Sequence, residues 1–152
     1  MLENTGVALD IIGPNEKHLI LEEFFDKPRL KKKAGDSSNP METVRKGETD
    51  FQTLHRMWRE ELPGMPPLPL PGQLVGQYQI VLGEIANLYV VRIDSLPLPK
   101  QDTPSPEVGN YRWLTLEELP GVQLRPGAKE MIRDSAAGLT GIFREFCEDY
   151  GR

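Results

Sequence analysis

Cysteine is almost missing from this chain: Cys147 is the only one in 152 residues. A single thiol closes no intramolecular disulfide and builds no cysteine metal cluster, and such scarcity suits a reducing compartment. Histidine is nearly as rare. His18 and His55 share no metal-ligand spacing, so neither is assigned a catalytic role. Positive charge is also short, with 18 Lys and Arg against 23 Asp and Glu, a net charge of -5 and a pI near 5.1. Neutralising a nucleic-acid backbone needs clustered cations, so no nucleic-acid partner is expected. The one compact basic run, Arg29 to Lys33, reads as a solvated strand end or loop; a local phosphate-attracting edge is the sharper reading. No apolar run approaches the roughly 18–20 residues that span a bilayer, so no membrane association is expected. The first residues do not pair a basic segment with an apolar one; no secretory signal is read there, and the cytoplasm is the expected location. Walker loops, G-x-S-x-G, H-E-x-x-H and G-x-G-x-x-G patterns are all lacking.

Proline, by contrast, is abundant and clustered. Pro63, Pro66, Pro67, Pro69 and Pro71 fall between residues 63 and 72. Proline fixes φ and removes a donor, so this stretch is expected to be a stiff extended loop. A second proline-rich loop is expected over 96–106. Pro66 to Pro69 matches PxxP, a pattern common by chance.

Hydrophobic residues make up 38% and charged residues 27%, the balance of a globular chain, and the length suits a single domain over 1–152. Val7, Leu9, Ile11 and Ile12 mark a strand over 6–12, ended by the turn Gly13-Pro14-Asn15. His18 to Phe25, with Leu19, Ile20, Leu21, Phe24 and Phe25, reads as a second, buried strand, antiparallel to the first. Residues 34–45 read as loop. Thr49 or Asp50 can cap a helix whose apolar face is Phe51, Leu54, Trp58 and Leu62, with Pro63 and Gly64 as its stop. Strands are predicted over 78–81 and 85–93. Trp113 leads a short strand or turn into Thr115–Leu119. Met131, Ile132, Leu139, Ile142, Phe143 and Phe146 have helical spacing, so a C-terminal helix is predicted from Ala128, kinked or split at Gly138 and Gly141. Strands, helix, strands, helix in this order predict an α/β/α sandwich around a mixed sheet.

One constellation carries chemistry. Glu48 is followed at the eighth position by Arg56, and then by Met57, Trp58, Arg59, Glu60 and Glu61. This resembles the Nudix box, G-x5-E-x7-R-E-U-x-E-E-x-G-U, with Met57 where a carboxylate is expected. Tyr111 to Leu119 is similar to the W-x-x-x-E-E-L segment of that superfamily. Leu19 to Phe25, Lys33-Ala34-Gly35, and Gly83-Glu84 followed by Asn87-Leu88-Tyr89 look like its ADP-ribose pyrophosphatase branch. The glycine that should open the box falls at Glu42 by strict spacing. Gly35 with about seven inserted residues is the preferred alternative. Pro63 stands at the last glycine position, with Gly64 one residue late.

The resemblance implies a Nudix-like α/β/α domain that cleaves a pyrophosphate linkage in a nucleoside diphosphate derivative such as ADP-ribose. It implies Mg²⁺ or Mn²⁺ held by Glu61 and Glu60, the Ala34 carbonyl, and Glu107 or Glu84, with Glu107 favoured as the loop residue. Glu60, Glu61 and Glu107 are then the catalytic candidates, and Glu48, Arg56 and Met57 shape the box. Homodimers are common among such proteins. Positions 57 and 61 lie one helical turn apart. A thioether is soft and uncharged and does not replace a carboxylate on a hard cation. The alternative is therefore a catalytically impaired module that binds a nucleotide-like ligand or a protein partner. Blander readings stand beside these. Glu60 and Glu61 could be helix-surface charges, Arg56 a surface ion pair, and Met57, Trp58 and Trp113 simply core.

Overall fold

Strand β1 (Glu3–Gly13) is buried along both faces, with Val7, Ala8, Leu9, Ile11 and Ile12 all inaccessible to water. Such a run has neighbours on each side and a layer above and below. In the computed structural model of this protein, the described residues are 3–69, 72–101 and 106–146. Cys147, Pro71 and the centre of the second proline loop lie outside them.

The other strands are β2 (Lys17–Glu23), β3 (Ser37–Ser38), β4 (Met41–Thr43), β5 (Gln73–Gln79), β6 (Glu84–Arg92), β7 (Val108–Leu114) and β8 (Ile142–Glu145). They form one mixed sheet in the order β3-β2-β1-β6-β5-β8, with β4 on β1 and β7 on β2. β1 runs parallel to β6, and β5 parallel to β8. The predicted antiparallel pairing of β1 and β2 is present at Ile12↔His18 and Gly13↔Lys17, next to the turn. β1 makes its long ladder with β6.

Helix α1 (Asp50–Glu61) covers one face of the sheet. Leu54, Met57, Trp58 and Leu62 meet Val7, Leu9, Ile11, Leu19 and Leu21 there. Thr49 caps the helix, and Gln52 returns the bond to the Thr49 N–H, so two donors of the first turn are satisfied reciprocally. Asp50 then ties the helix start to β6, accepting from Asn87 Nδ2 at 2.8 Å and Tyr89 OH at 2.6 Å. Helix α2 (Ala128–Ala136) covers the opposite face, Met131 packing with Ala8, Val75, Tyr78 and Leu88, and Ile132 with Ile20 and Leu119. The α/β/α sandwich is thus built around β1.

Two sequence expectations need correction. Residues 34–45 are not all loop, because β3 and β4 lie within them. Their pairing is fixed by β2 and β1, partners distant in sequence. The C-terminal helix stops at Ala136. Gly138 and Gly141 take left-handed backbone, φ 70° and 68°, and turn the chain into β8 instead of kinking a helix. Gly76 on β5 lets that strand approach: a Cβ there would lie 2.3 Å from the Ile142 carbonyl oxygen. Arg144 holds β8 from the side through two hydrogen bonds to Asp134 on α2, at 2.7 and 2.8 Å.

Both tryptophans are spent on structure. Trp58 Nε1 donates to the Pro66 carbonyl and Trp113 Nε1 to the Pro97 carbonyl, so each pins one proline loop to the core. Among the described residues, no helix is long and apolar enough to cross a membrane.

Candidate active site at the α1 helix and its carboxylates

Arg56 organises the site. From the second turn of α1 its Nε and Nη2 donate to the two oxygens of Glu48, both at 2.9 Å, and Nη2 also reaches the Thr43 carbonyl at 2.7 Å. Its Nη1 lies 3.4 Å from Glu42 and 3.6 Å from Glu60. The guanidinium fork suits such bidentate pairing. Glu48 accepts further from the Arg45 N–H and the Thr53 hydroxyl. The Arg56 bonds, and then the Arg45 N–H, draw the Glu48 carboxyl down from 4.5 to about 2. Burial opposes the charge on Arg56, but the bond to Glu48 outweighs it and the guanidinium is held more firmly protonated.

Glu42 stands on β4 opposite Val7 and six residues before Glu48. It is the residue that strict spacing aligns with the opening glycine of the Nudix pattern. Gly35, the preferred alternative, sits in a separate turn, where its N–H bonds the Glu23 carbonyl.

Glu61, at the end of α1, is partly buried beside Glu42. Loss of water raises its carboxyl well above the ordinary value. The Glu42 charge adds to the rise and Lys32 opposes it. Tyr111 OH donates to the Glu61 backbone carbonyl. Burial, then the Glu61 charge, lifts the Tyr111 phenol to about 12. Glu42, Glu60, Glu61, Glu107 and Tyr111 line a common cavity of about 160 Å³. Within it Glu60 is 47% exposed, and Glu107 is 66% exposed and bound to Lys27 at 3.3 Å.

The remaining candidates lie elsewhere. Met57 is fully buried in the core between the sheet and α1, in one cluster with Leu9, Leu21 and Leu54. Ala34 is exposed in the turn after β2, its N–H on Asp26 Oδ1 at 2.9 Å, and it does not line the carboxylate cavity. Glu84 opens β6 and binds Arg29 at 2.8 Å. It lines a second cavity of about 190 Å³, with apolar Met41, Ile80 and Ile85 on its walls and Arg29, Lys32 and Arg125 among its cations. Glu42 borders both cavities. Sequence reasoning did not single out Glu23, Lys32 or Tyr111 within the segments it noted, and Arg125 lies in a segment without a motif.

These donors do not fit Mg²⁺ or Mn²⁺. A hard divalent cation wants several converging oxygens with uncompensated charge. Among the described residues, no three His, Cys, Asp or Glu side chains are grouped to hold a metal. Met57 offers sulfur inside the core. Glu23, Glu42, Glu60, Glu84 and Glu107 are each paired with a Lys or Arg.

No protein-family model matches the sequence, and no curated protein is similar to it. Solved structures are similar in fold. The Nudix domain of Shewanella oneidensis NrtR, complexed with ADP ribose, superimposes with a TM-score of 0.69 at 15% identity, covering 92% of this chain and 90% of that one. A Nudix hydrolase from Nitrosomonas europaea gives 0.67 at 20% identity over 91% and 93%. The MutT protein of Methanosarcina mazei Go1 gives 0.66 at 22% over 91% and 99%. At these identities the likeness speaks for architecture, a mixed sheet between two helices, and the fold of this chain is the Nudix fold.

Proposed function

We propose that this protein binds a nucleoside diphosphate derivative of the ADP-ribose type and is impaired in metal-assisted cleavage of its pyrophosphate. The single observation that carries the reading is the cavity bordered by Glu42. It pairs apolar walls from Met41, Ile80 and Ile85 with Arg29, Lys32 and Arg125, which suits a flat base at one end and anionic groups at the other. Arg29 is 76% exposed and bound to Glu84, so a phosphate can take the place of that carboxylate at little cost. The ADP-ribose complex of the NrtR domain supports the ligand class. Burial of Met57 and the pairing of the neighbouring carboxylates support loss of cleavage.

Calorimetric titration with ADP-ribose in EDTA tests the reading, together with a product assay in Mg²⁺ and then Mn²⁺. Binding without a metal requirement and without products is expected. Turnover that disappears in Glu61→Gln would instead establish the second reading, a pyrophosphohydrolase. That reading draws on Glu42, Glu60, Glu61 and Glu107 still sharing one cavity.

A further inference from the structure

We infer that Arg125 is the anion anchor of the cavity bordered by Glu42 and Glu84: its buried guanidinium has no counter-ion within the protein and takes a phosphoryl group of the ligand as one. The charged residues lining that cavity are Arg29, Lys32, Glu42, Glu84 and Arg125. Arg29 is bound to Glu84, Lys32 to Glu23, and Glu42 to Arg56. Arg125 forms no ion pair among the described residues, although it is only 5% exposed.

A guanidinium carries several N–H donors and no acceptor. In Arg125, Nη2 donates to the Leu30 carbonyl at 2.6 Å, Nη1 faces the Met41 sulfur at 2.9 Å, and Nε has no partner. A thioether is a weak acceptor, so one carbonyl is the only strong partner for a whole buried charge. Burying a charge without a partner of opposite sign is costly. Burial lowers the guanidinium to about 10, with Glu23 and then Asp36 opposing, and it stays charged at neutral pH.

The backbone fixes Arg125 at this wall. Its N–H donates to the Ser37 carbonyl at 2.8 Å, and its carbonyl accepts from the Ala128 N–H at 3.0 Å. Gly127, with a left-handed φ of 86°, turns the chain into α2 hard against the cavity residue Ile80: a Cβ there would lie 3.0 Å from Ile80 Cδ1. Donors set in place before a ligand arrives lose little freedom when it binds. Met41 is the adaptable neighbour, and an arriving phosphoryl oxygen replaces its sulfur on Nη1. Hydrogen bonds from a guanidinium to phosphate are about twice as strong as neutral ones. Arg29 is mostly exposed and already paired, so it assists where Arg125 holds. The inference rests on the reading of this cavity as the ligand site.

The experiment is calorimetric titration, in EDTA, of wild type, Arg125→Met, Arg125→Lys and Arg29→Met with inorganic pyrophosphate, ADP-ribose and adenosine. Arg125→Met is expected to bind both phosphate ligands about tenfold or more weakly than wild type, the worth of at least one hydrogen bond to a charged group. Arg125→Lys is expected to fall between them, and Arg29→Met to lose less than Arg125→Met. Adenosine, which has no phosphoryl group, is expected to distinguish none of the four. An Arg125→Met variant that binds ADP-ribose as tightly as wild type would keep the proposed ligand and overturn the anchor. Pyrophosphate held through Arg125 with ADP-ribose refused would remove the proposed ligand and leave the anchor standing. An equal loss for adenosine would show a merely structural role and overturn it. Should Arg125→Met not fold, wild type decides by the ¹⁵N resonance of the Arg125 Nε–H. Pyrophosphate is expected to shift that signal, and a signal unmoved at saturation overturns the inference.

Discussion

Arg56 and Glu48 lie eight residues apart and meet side-on, Nε to Oε2 and Nη2 to Oε1, each at 2.9 Å. Glu48 precedes the helix and Arg56 sits in its second turn, so the pair clamps the entry loop against α1. The arginine's remaining nitrogen is left for Glu42 and Glu60. The clamp is complete with a methionine, Met57, next to Arg56.

This clamp has a pH signature. The Glu48 carboxyl is lowered from 4.5 to about 2 on folding, first by its bonds to Arg56. A lowered folded-state value contributes stability that is complete above the unfolded value and is lost as the pH falls through the folded one. Urea midpoints of wild type are expected to drop between pH 4.5 and about 2. In Glu48→Gln that part of the slope is expected to flatten, and an unchanged slope would count against the clamp.

Met57 is core, and its substitutions should rank accordingly. Met57→Leu keeps the volume and is expected to cost less than about 1.5 kcal/mol. Met57→Ala opens a cavity and is expected to cost about 2–5 kcal/mol. Met57→Glu places an unpaired charge among Leu9, Leu21 and Leu54 and is expected to cost about 3–5 kcal/mol at neutral pH, less in acid where the carboxyl is neutral. Chemical denaturation measures all three; a Met57→Glu variant as stable as wild type would show a polar opening at this position.

Strand β8 depends on two contacts. Arg144 is bound twice by Asp134, and Gly76 leaves the space that Ile142 fills. Arg144→Ala and Gly76→Ala are both expected to speed hydrogen exchange at the Phe146 amide, which donates to Gln79, while amides of β1 and β6 stay protected. Uniform loss of protection would mean that β8 is inseparable from the global fold.

The first proline loop is held by an indole. Removing the Trp58 N–H in Trp58→Phe deprives the Pro66 carbonyl of its donor and is expected to cost about 1 kcal/mol. Limited proteolysis should then cut first within 63–69. Protection equal to wild type there would assign the loop's order to Met65 and Leu68, which pack on the same core.

Much of the fold was legible because it is local. The Thr49 cap, the apolar face of α1 and the stop at Pro63-Gly64 follow from spacing and turn chemistry over a few residues. So did the buried strand around β1 and the register of Glu48, Arg56, Glu60 and Glu61. Where the sequence misled, the deciding partner was remote. Ile142, Phe143 and Phe146 fit a helical period, but two left-handed glycines and the open edge of β5 made them strand and strand end. Residues 37–38 and 41–43 looked like loop until β2 and β1 fixed β3 and β4 on either side of Pro40.

The site divides along the same line. The sequence by itself determined that a methionine follows Arg56 and that Arg56 and Glu48 belong together, since identity and spacing within one helix and its entry loop suffice for both. Only the tertiary structure decided that Met57 is sealed in the core, that Glu42 joins Glu61, and that Lys32 is buried against Glu23. Those facts depend on which charges are driven together away from water, and that is settled when strands from distant parts of the chain pack into one sheet.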